Sequence, residues 1–179
     1  MITFNKYVEI EGNRYEINPD YRNIIEIDTI WKNKDLTDEE RVYISLNKFY
    51  LFFDKYPQDL HESLAKEMIN FYQGGIEKGK SKGKKTNVAI FDYQKDWDMI
   101  YSAFYECYNI RLTKYMHWWE FKMLFDSLDS ECKFSKVRSY RSYSGSDKEM
   151  NKLKKEWALP IDKVDEERYN AIYDKLKGE

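Results

Sequence analysis

Apolar residues recur at intervals of three and four along most of this chain, and that period admits few structures other than packed helices. Leu60, Leu64, Met68 and Phe71 form one stripe, with Ala65 and Tyr72 beside it. Trp97, Ile100, Tyr101, Phe104 and Tyr108 form a second, and Trp118, Phe121, Phe125 and Leu128 a third. A stripe of this kind buries one face of a helix and leaves the other to water. Helix punctuation goes with it. Asn18-Pro19-Asp20 reads as a start and predicts a helix over about 19–31 that buries Ile24, Ile27 and Trp31. Thr37, with Glu40 three residues on, is a capping box whose helix is expected to run to about Lys55. A third helix starts near Pro57 and is stopped by Gly74-Gly75. Ser146 and Glu149 form another capping box, ahead of Met150, Leu153 and Trp157, and Leu159-Pro160 ends that helix. A last helix is expected from about Asp165, burying Tyr169, Ile172 and Leu176. Strand patterning is confined to residues 8–10 and 14–17, which alternate around Glu11-Gly12-Asn13 and predict a β-hairpin. The fold class expected is mainly α, with two small helical subdomains and a short N-terminal β-hairpin.

The subdomains should divide at residues 74–88, where four glycines and five lysines stand with almost nothing apolar. The layout is then 1–73 for the hairpin and first helices, 74–88 for the linker and 89–179 for the second helical subdomain. The same stretch contains "GGIEKGKS", residues 74–81, which fits the phosphate-loop pattern G-x-x-x-x-G-K-[ST] letter for letter. "VAIFD", residues 88–92, follows it and has the look of a magnesium-bearing strand. A phosphate loop needs a strand before it and a helix after it. Here the preceding segment has helical period and the following one is lysine and glycine. Too few residues remain before "VAIFD" for a parallel crossover. The motif reads as a helix stop followed by a solvated tether.

Other chemistry is equally thin. Asp92, Asp96 and Asp98 look like a carboxylate cluster, but they surround a helix start, where acids are favoured. His61 and His117 are the only histidines, and neither has a spaced Cys or His partner for zinc. Cys107 and Cys132 have no C-x-x-C spacing and are expected to be free thiols in a reducing compartment. No catalytic, metal or cofactor-binding residue is expected, and no cofactor; the chain is not read as an enzyme. Its 30 basic and 32 acidic residues leave a net charge of -2, so nucleic acid is not an expected partner. The lysine run 78–85 is the one feature favouring that alternative. Apolar runs such as 49–53 are too short to span a bilayer, and no signal peptide opens the chain. Aromatic residues make up 17% of the chain, and since Tyr and Trp are favoured at interfaces, some rings are expected inside and some on a partner.

The candidates are Trp97 and the box His117-Trp118-Trp119 with Phe121. Adjacent tryptophans on a helix point about 100° apart. One of the pair is therefore expected in the core and the other at its edge or on a partner.

At this box the chain resembles the bacteriophage gp-fifteen family. The residues that carry the likeness are FDYQKDWDMIYSAFYECYNIRL, MHWWEFKMLFDSLDSECKFSKVRSYR and KKEWALP, with GNRYEINPDYR near the start. The likeness spans about residues 10–160, and its most specific parts are the I-Y-x-x-F core and the H-W-W-x-F box. Asn109 stands where glycine is expected, and asparagine tolerates the left-handed conformation of a helix end. The resemblance implies a protein of the phage tail-morphogenesis cluster, similar to tail assembly chaperones. Its implied partners are the tape-measure protein, the tail-tube protein and a companion assembly chaperone, in the host cytoplasm during assembly. A homo-oligomer is left open. The alternative is a structural piece kept in the tail or virion.

Overall fold

The computed structural model describes residues 4–74 and 89–159 and is mainly α-helical, as the apolar spacing predicts. The described residues form two units. Unit 1 comprises 4–74 and 115–122; unit 2 comprises 89–114 and 123–159. Residues 115–122, which follow the first helix of unit 2 in sequence, thus belong with the N-terminal unit. Residues 75–88, most of the expected linker, lie outside the described residues, as does the helix expected from Asp165.

Unit 1 opens with the expected hairpin. Strand β1 (Tyr7–Ile10) pairs antiparallel with β2 (Asn13–Glu16), with Val8 opposite Tyr15 and Ile10 opposite Asn13. Glu11 and Gly12, at φ 51° and 80°, make the connecting turn. Positive φ at both central residues is the type I′ geometry that matches the twist of two paired strands. Helix α1 (Tyr21–Lys32) starts two residues later than Asn18-Pro19 predicts, because Asp20 is the cap and its carboxylate accepts the Arg22 N–H. Residues 17–20 are held extended by tertiary hydrogen bonds. The Asn18 N–H donates to the Phe49 carbonyl at 2.7 Å, and the Pro19 carbonyl accepts the Trp118 N–H at 2.7 Å. A helix beginning at Pro19 would forfeit them.

Helix α2 (Asp38–Phe49) carries the capping box in full, with Thr37 Oγ1 accepting the Glu40 N–H and Glu40 Oε2 accepting the Thr37 N–H. It stops at Tyr50, short of Lys55, since Ile17 and Tyr50 form a bridge and the Leu51 N–H donates to the Glu16 carbonyl. Helix α3 (His61–Tyr72) buries Leu64, Ala65, Met68, Ile69 and Phe71, and Gly74 ends it at φ 96°. Large side chains with less than 2% exposure, Tyr21, Phe49, Tyr50, Trp118 and Phe121 among them, fill the centre of this unit. Full burial of such a side chain contributes about 1.5–3 kcal/mol.

Unit 2 contains α4 (Trp97–Tyr108), α6 (Lys133–Ser142) and α7 (Lys148–Glu156). Helix α5 (Trp118–Asp126) begins in unit 1 and ends in unit 2. Asn109 closes α4 in the left-handed conformation, φ 54° and ψ 30°, the role that its place in the resemblance requires. Asp147, one residue past the expected Ser146, caps α7 by accepting the Met150 N–H at 2.8 Å. Helix α6 carries no strong apolar stripe in its sequence, yet Phe134, Val137 and Arg141 are its buried face.

Candidate functional site

The His117-Trp118-Trp119 box sits at the N-terminus of α5, where the first backbone N–H groups of a helix lack internal partners. The His117 ring supplies one. Its Nδ1 accepts the Trp119 N–H at 3.1 Å, while its Nε2 lies 3.0 Å from the Asn5 carbonyl and donates to it. That pair of bonds needs the neutral imidazole with its proton on Nε2. Burial lowers the His117 pKa from its ordinary 6.5. Phe4 stacks on the ring at 4.9 Å, and Phe71 and Trp119 meet it edge-on.

The two tryptophans resolve their 100° divergence by reaching the same helix end. Trp118 Nε1 donates to the Tyr72 carbonyl at 2.8 Å, and Trp119 Nε1 to the Phe71 carbonyl at 2.9 Å. Those are carbonyls of the last turn of α3, where intrahelical donors run out; the Phe71 carbonyl also accepts the Gly74 N–H at 3.0 Å. The rings pack as well: Trp118 stacks on Tyr72 at 5.4 Å, Trp119 on Phe71 at 5.0 Å, and Phe121 on Tyr21 at 4.8 Å. Adjacent residues at the start of α5 thus cap the end of α3.

Of the five candidate partner-binding residues, His117, Trp118 and Phe121 are buried within unit 1 at 2% exposure or less. Their surface is taken up by intramolecular packing. Trp119 is half-buried beside them, and Trp97 is half-buried at the start of α4 in unit 2. Four of the five belong to unit 1 and the fifth, Trp97, to unit 2. The exposed large apolar side chains are others. In unit 1 they are Tyr43 (53%), Leu51 (54%), Phe52 (43%) and Tyr115 (51%); in unit 2 they are Tyr105 and Met123. Leu51 and Phe52 are adjacent just past the end of α2, and Tyr43 packs edge-on against the buried Phe53 that follows them. A continuous helix to Lys55 would hide this, but the signal was in the sequence. Five consecutive apolar residues, 49–53, cannot all face one core.

The remaining chemistry candidates are occupied structurally. The segment before the phosphate-loop motif is helix α3, not a strand, and of "GGIEKGKS" only Gly74 is described. Asp96 is buried at 2% exposure and grips Arg141 with both oxygens, at 2.6 and 3.0 Å. The same guanidinium donates to the Trp157 carbonyl at 2.6 Å and the Ile90 carbonyl at 3.2 Å. Arg141 thereby joins four segments of unit 2, a role that sequence reading missed. Asp92 Oδ1 accepts the N–H groups of Gln94 and Lys95 as a local turn. Among the described residues no group of three or more His, Cys, Asp and Glu side chains is placed to hold a metal ion. No helix among them is long and apolar enough to cross a membrane.

A protein-family model described as Bacteriophage Gp15 protein matches residues 4–161. No curated protein and no solved structure matches the chain.

Proposed function

The chain belongs to the bacteriophage Gp15 family, and from that membership we propose that it is a non-enzymatic tail assembly chaperone, one that binds the tape-measure protein and assists tail-tube assembly in the host cytoplasm. Family membership places the protein among phage structural or morphogenesis proteins; the chaperone role is the finer reading. The observation that supports it is the exposure of Leu51 and Phe52, adjacent large apolar side chains just past the end of α2. A soluble domain rarely leaves large side chains exposed together without a partner for them. An extended client made of amphipathic helices offers the matching surface, since such helices dock by laying an apolar face on an apolar groove or patch. The half-buried Trp119 adds a ring in the same unit. In this reading the buried part of the H-W-W-x-F box builds the surface and the exposed apolar side chains use it. The tail-tube protein and a companion chaperone are the further partners.

The test is co-expression with the tape-measure protein. The native chain is expected to raise the soluble fraction of that protein and to be captured with it. The Leu51→Asp/Phe52→Asp variant is expected to fold, because both side chains are exposed, and to lose the capture. Equal capture by both chains would move the surface elsewhere. A tape-measure protein no more soluble with the chain than without it, or stoichiometric retention of the chain in purified virions, would overturn the chaperone reading.

A further inference from the structure

Arg14, Arg22, Arg41 and Arg141 each pair with a carboxylate, those of Glu9, Asp20, Asp38 and Asp96 in turn. Arg138 does not. Half-buried on α6, it has neither a hydrogen-bond acceptor nor an ion pair among the described residues. Aromatic rings hold it instead. Its guanidinium carbon lies 5.6 Å from the ring centre of Phe91, 5.2 Å from that of Phe125 and 5.6 Å from that of Phe134, all within unit 2. Phe134 stands one helical turn before Arg138, where a long side chain leaning toward the N-terminus comes to rest. The rings also pack on one another: Phe125 meets Phe91 at 5.0 Å and Phe134 at 5.3 Å, and Tyr93 meets both Phe91 and Phe125. Phe125 and Phe134 are buried at 1% exposure or less, while Phe91 is half-buried beside the guanidinium. The rest of α6 does not answer the charge. Its ten residues carry four cations and no carboxylate. Lys136 is engaged by Glu131 at 3.1 Å and Arg141 by Asp96. Lys133, five positions before Arg138, is about 140° round the helix and lies over the Trp157 ring.

We propose that Arg138 on its floor of phenyl rings is a binding site for a carboxylate of a protein partner, an acidic side chain at the edge of an apolar helix face. A guanidinium directs its N–H groups outward in its own plane, as a fork that matches the two oxygens of a carboxylate. Rings within about 6 Å attract the cation and take the place of water on part of its surface. They also restrict the side chain before a partner arrives, so less freedom is lost on binding. Arginine set among aromatic rings is the composition that dominates the energy of protein interfaces. The half-buried Phe91 ring offers apolar surface next to the fork, which suits a partner whose acid has apolar neighbours. A nucleic acid suits it less. Phosphate chains are held by several cations in a track, and the other cations of α6 are engaged or turned to another flank. The site belongs to unit 2 and does not rest on the chaperone reading or on Leu51 and Phe52 in unit 1.

The experiment titrates the nitrogen-15-labelled full chain with a helical peptide of leucine, alanine and glutamate, and reads the arginine Nε–Hε signals by nuclear magnetic resonance. The comparison peptide has glutamine in place of every glutamate. The Arg138 signal, assigned by its loss in Arg138→Lys, is expected to move downfield and saturate with the glutamate peptide. Arg111 is the internal control: it is exposed and lies over the single ring of Tyr105, and its signal is expected not to saturate. Affinity is expected to fall about tenfold with the glutamine peptide, and equally in Arg138→Lys, which keeps the charge and loses the fork. Backbone amide shifts read binding in that variant and show that it is folded. Equal affinity for the two peptides, an Arg138→Lys chain that binds like the native one, or an Arg138 signal that never moves would each overturn the proposal. So would an oligothymidylate that shifts Arg138 at lower concentration than the peptide does, which would assign the site to phosphate. Self-association of the native chain that Arg138→Lys abolishes in sedimentation would assign it to a second copy and overturn the proposal as well.

Discussion

His117 is held neutral by what its two nitrogens do. Nδ1 must keep its lone pair to accept the Trp119 N–H, and burial disfavours the charged ring. The nearby charges, Glu120 favouring protonation and Lys6 opposing it, are secondary to burial. The folded pKa lies below the unfolded value of 6.5, so between the two the unfolded chain binds more protons. The stabilisation is full above pH 6.5 and is lost as pH falls from there through the lowered folded value. Thermal midpoints measured from pH 8 to pH 5 should fall over that window, and His117→Gln should flatten the fall. Arg141 makes a different prediction. Removing it leaves the buried Asp96 carboxylate without its partner, along with the Ile90 and Trp157 carbonyls. Arg141→Met should cost about 3–5 kcal/mol in urea unfolding, the usual penalty for breaking one side of a buried ion pair. The double variant with Asp96→Leu should recover part of that loss, because it leaves no charge behind.

Helix ends, more than helix middles, decide how these elements fit. The tryptophans at the start of α5 complete the end of α3, so their indole N–H groups matter as well as their bulk. Trp118→Phe keeps a ring against Tyr72 but leaves the Tyr72 carbonyl without its donor, and is expected to cost about 1–3 kcal/mol in denaturant unfolding. A cost indistinguishable from zero would show that stacking alone holds the junction. The end of α4 offers a cleaner comparison. Asn109 is left-handed, a conformation that costs other L-residues about 1–2 kcal/mol. Asn109→Ala should therefore destabilise unit 2 by about 1 kcal/mol in the same measurement, and Asn109→Gly should leave it within about 0.5 kcal/mol. Stops and caps of this kind are legible because they occupy a few consecutive residues. Helix α6 was not read from the sequence for the converse reason. Its buried face ends on Arg141, and an arginine counts as apolar only when a distant carboxylate neutralises it.

At the scale of the molecule, the units are not continuous lengths of chain. Trp118 and Phe121 fill unit 1 although they follow the first helix of unit 2 in sequence. A chain cut after Ser81 keeps every helix of unit 1 that precedes the glycine-lysine stretch but lacks those two rings and the caps on α3. It is expected to retain helical far-ultraviolet circular dichroism while losing near-ultraviolet signal and a cooperative melt. A cooperative melt at the midpoint of the full chain would show that residues 115–122 are dispensable. The sequence by itself determined the hairpin, the helices with strong apolar stripes, the capping box at Thr37 and the stop at Gly74. Each of these rests on the period of the backbone or on a side chain bonding within a few residues of itself. Only the tertiary structure decided that the tryptophan box joins the N-terminal unit, that both indoles meet one helix end, that Arg141 is buried on Asp96, and that Leu51 and Phe52 stay exposed. The first three outcomes depend on partners 45 or more residues away: an apolar stripe states which face will be buried, and leaves open what will cover it.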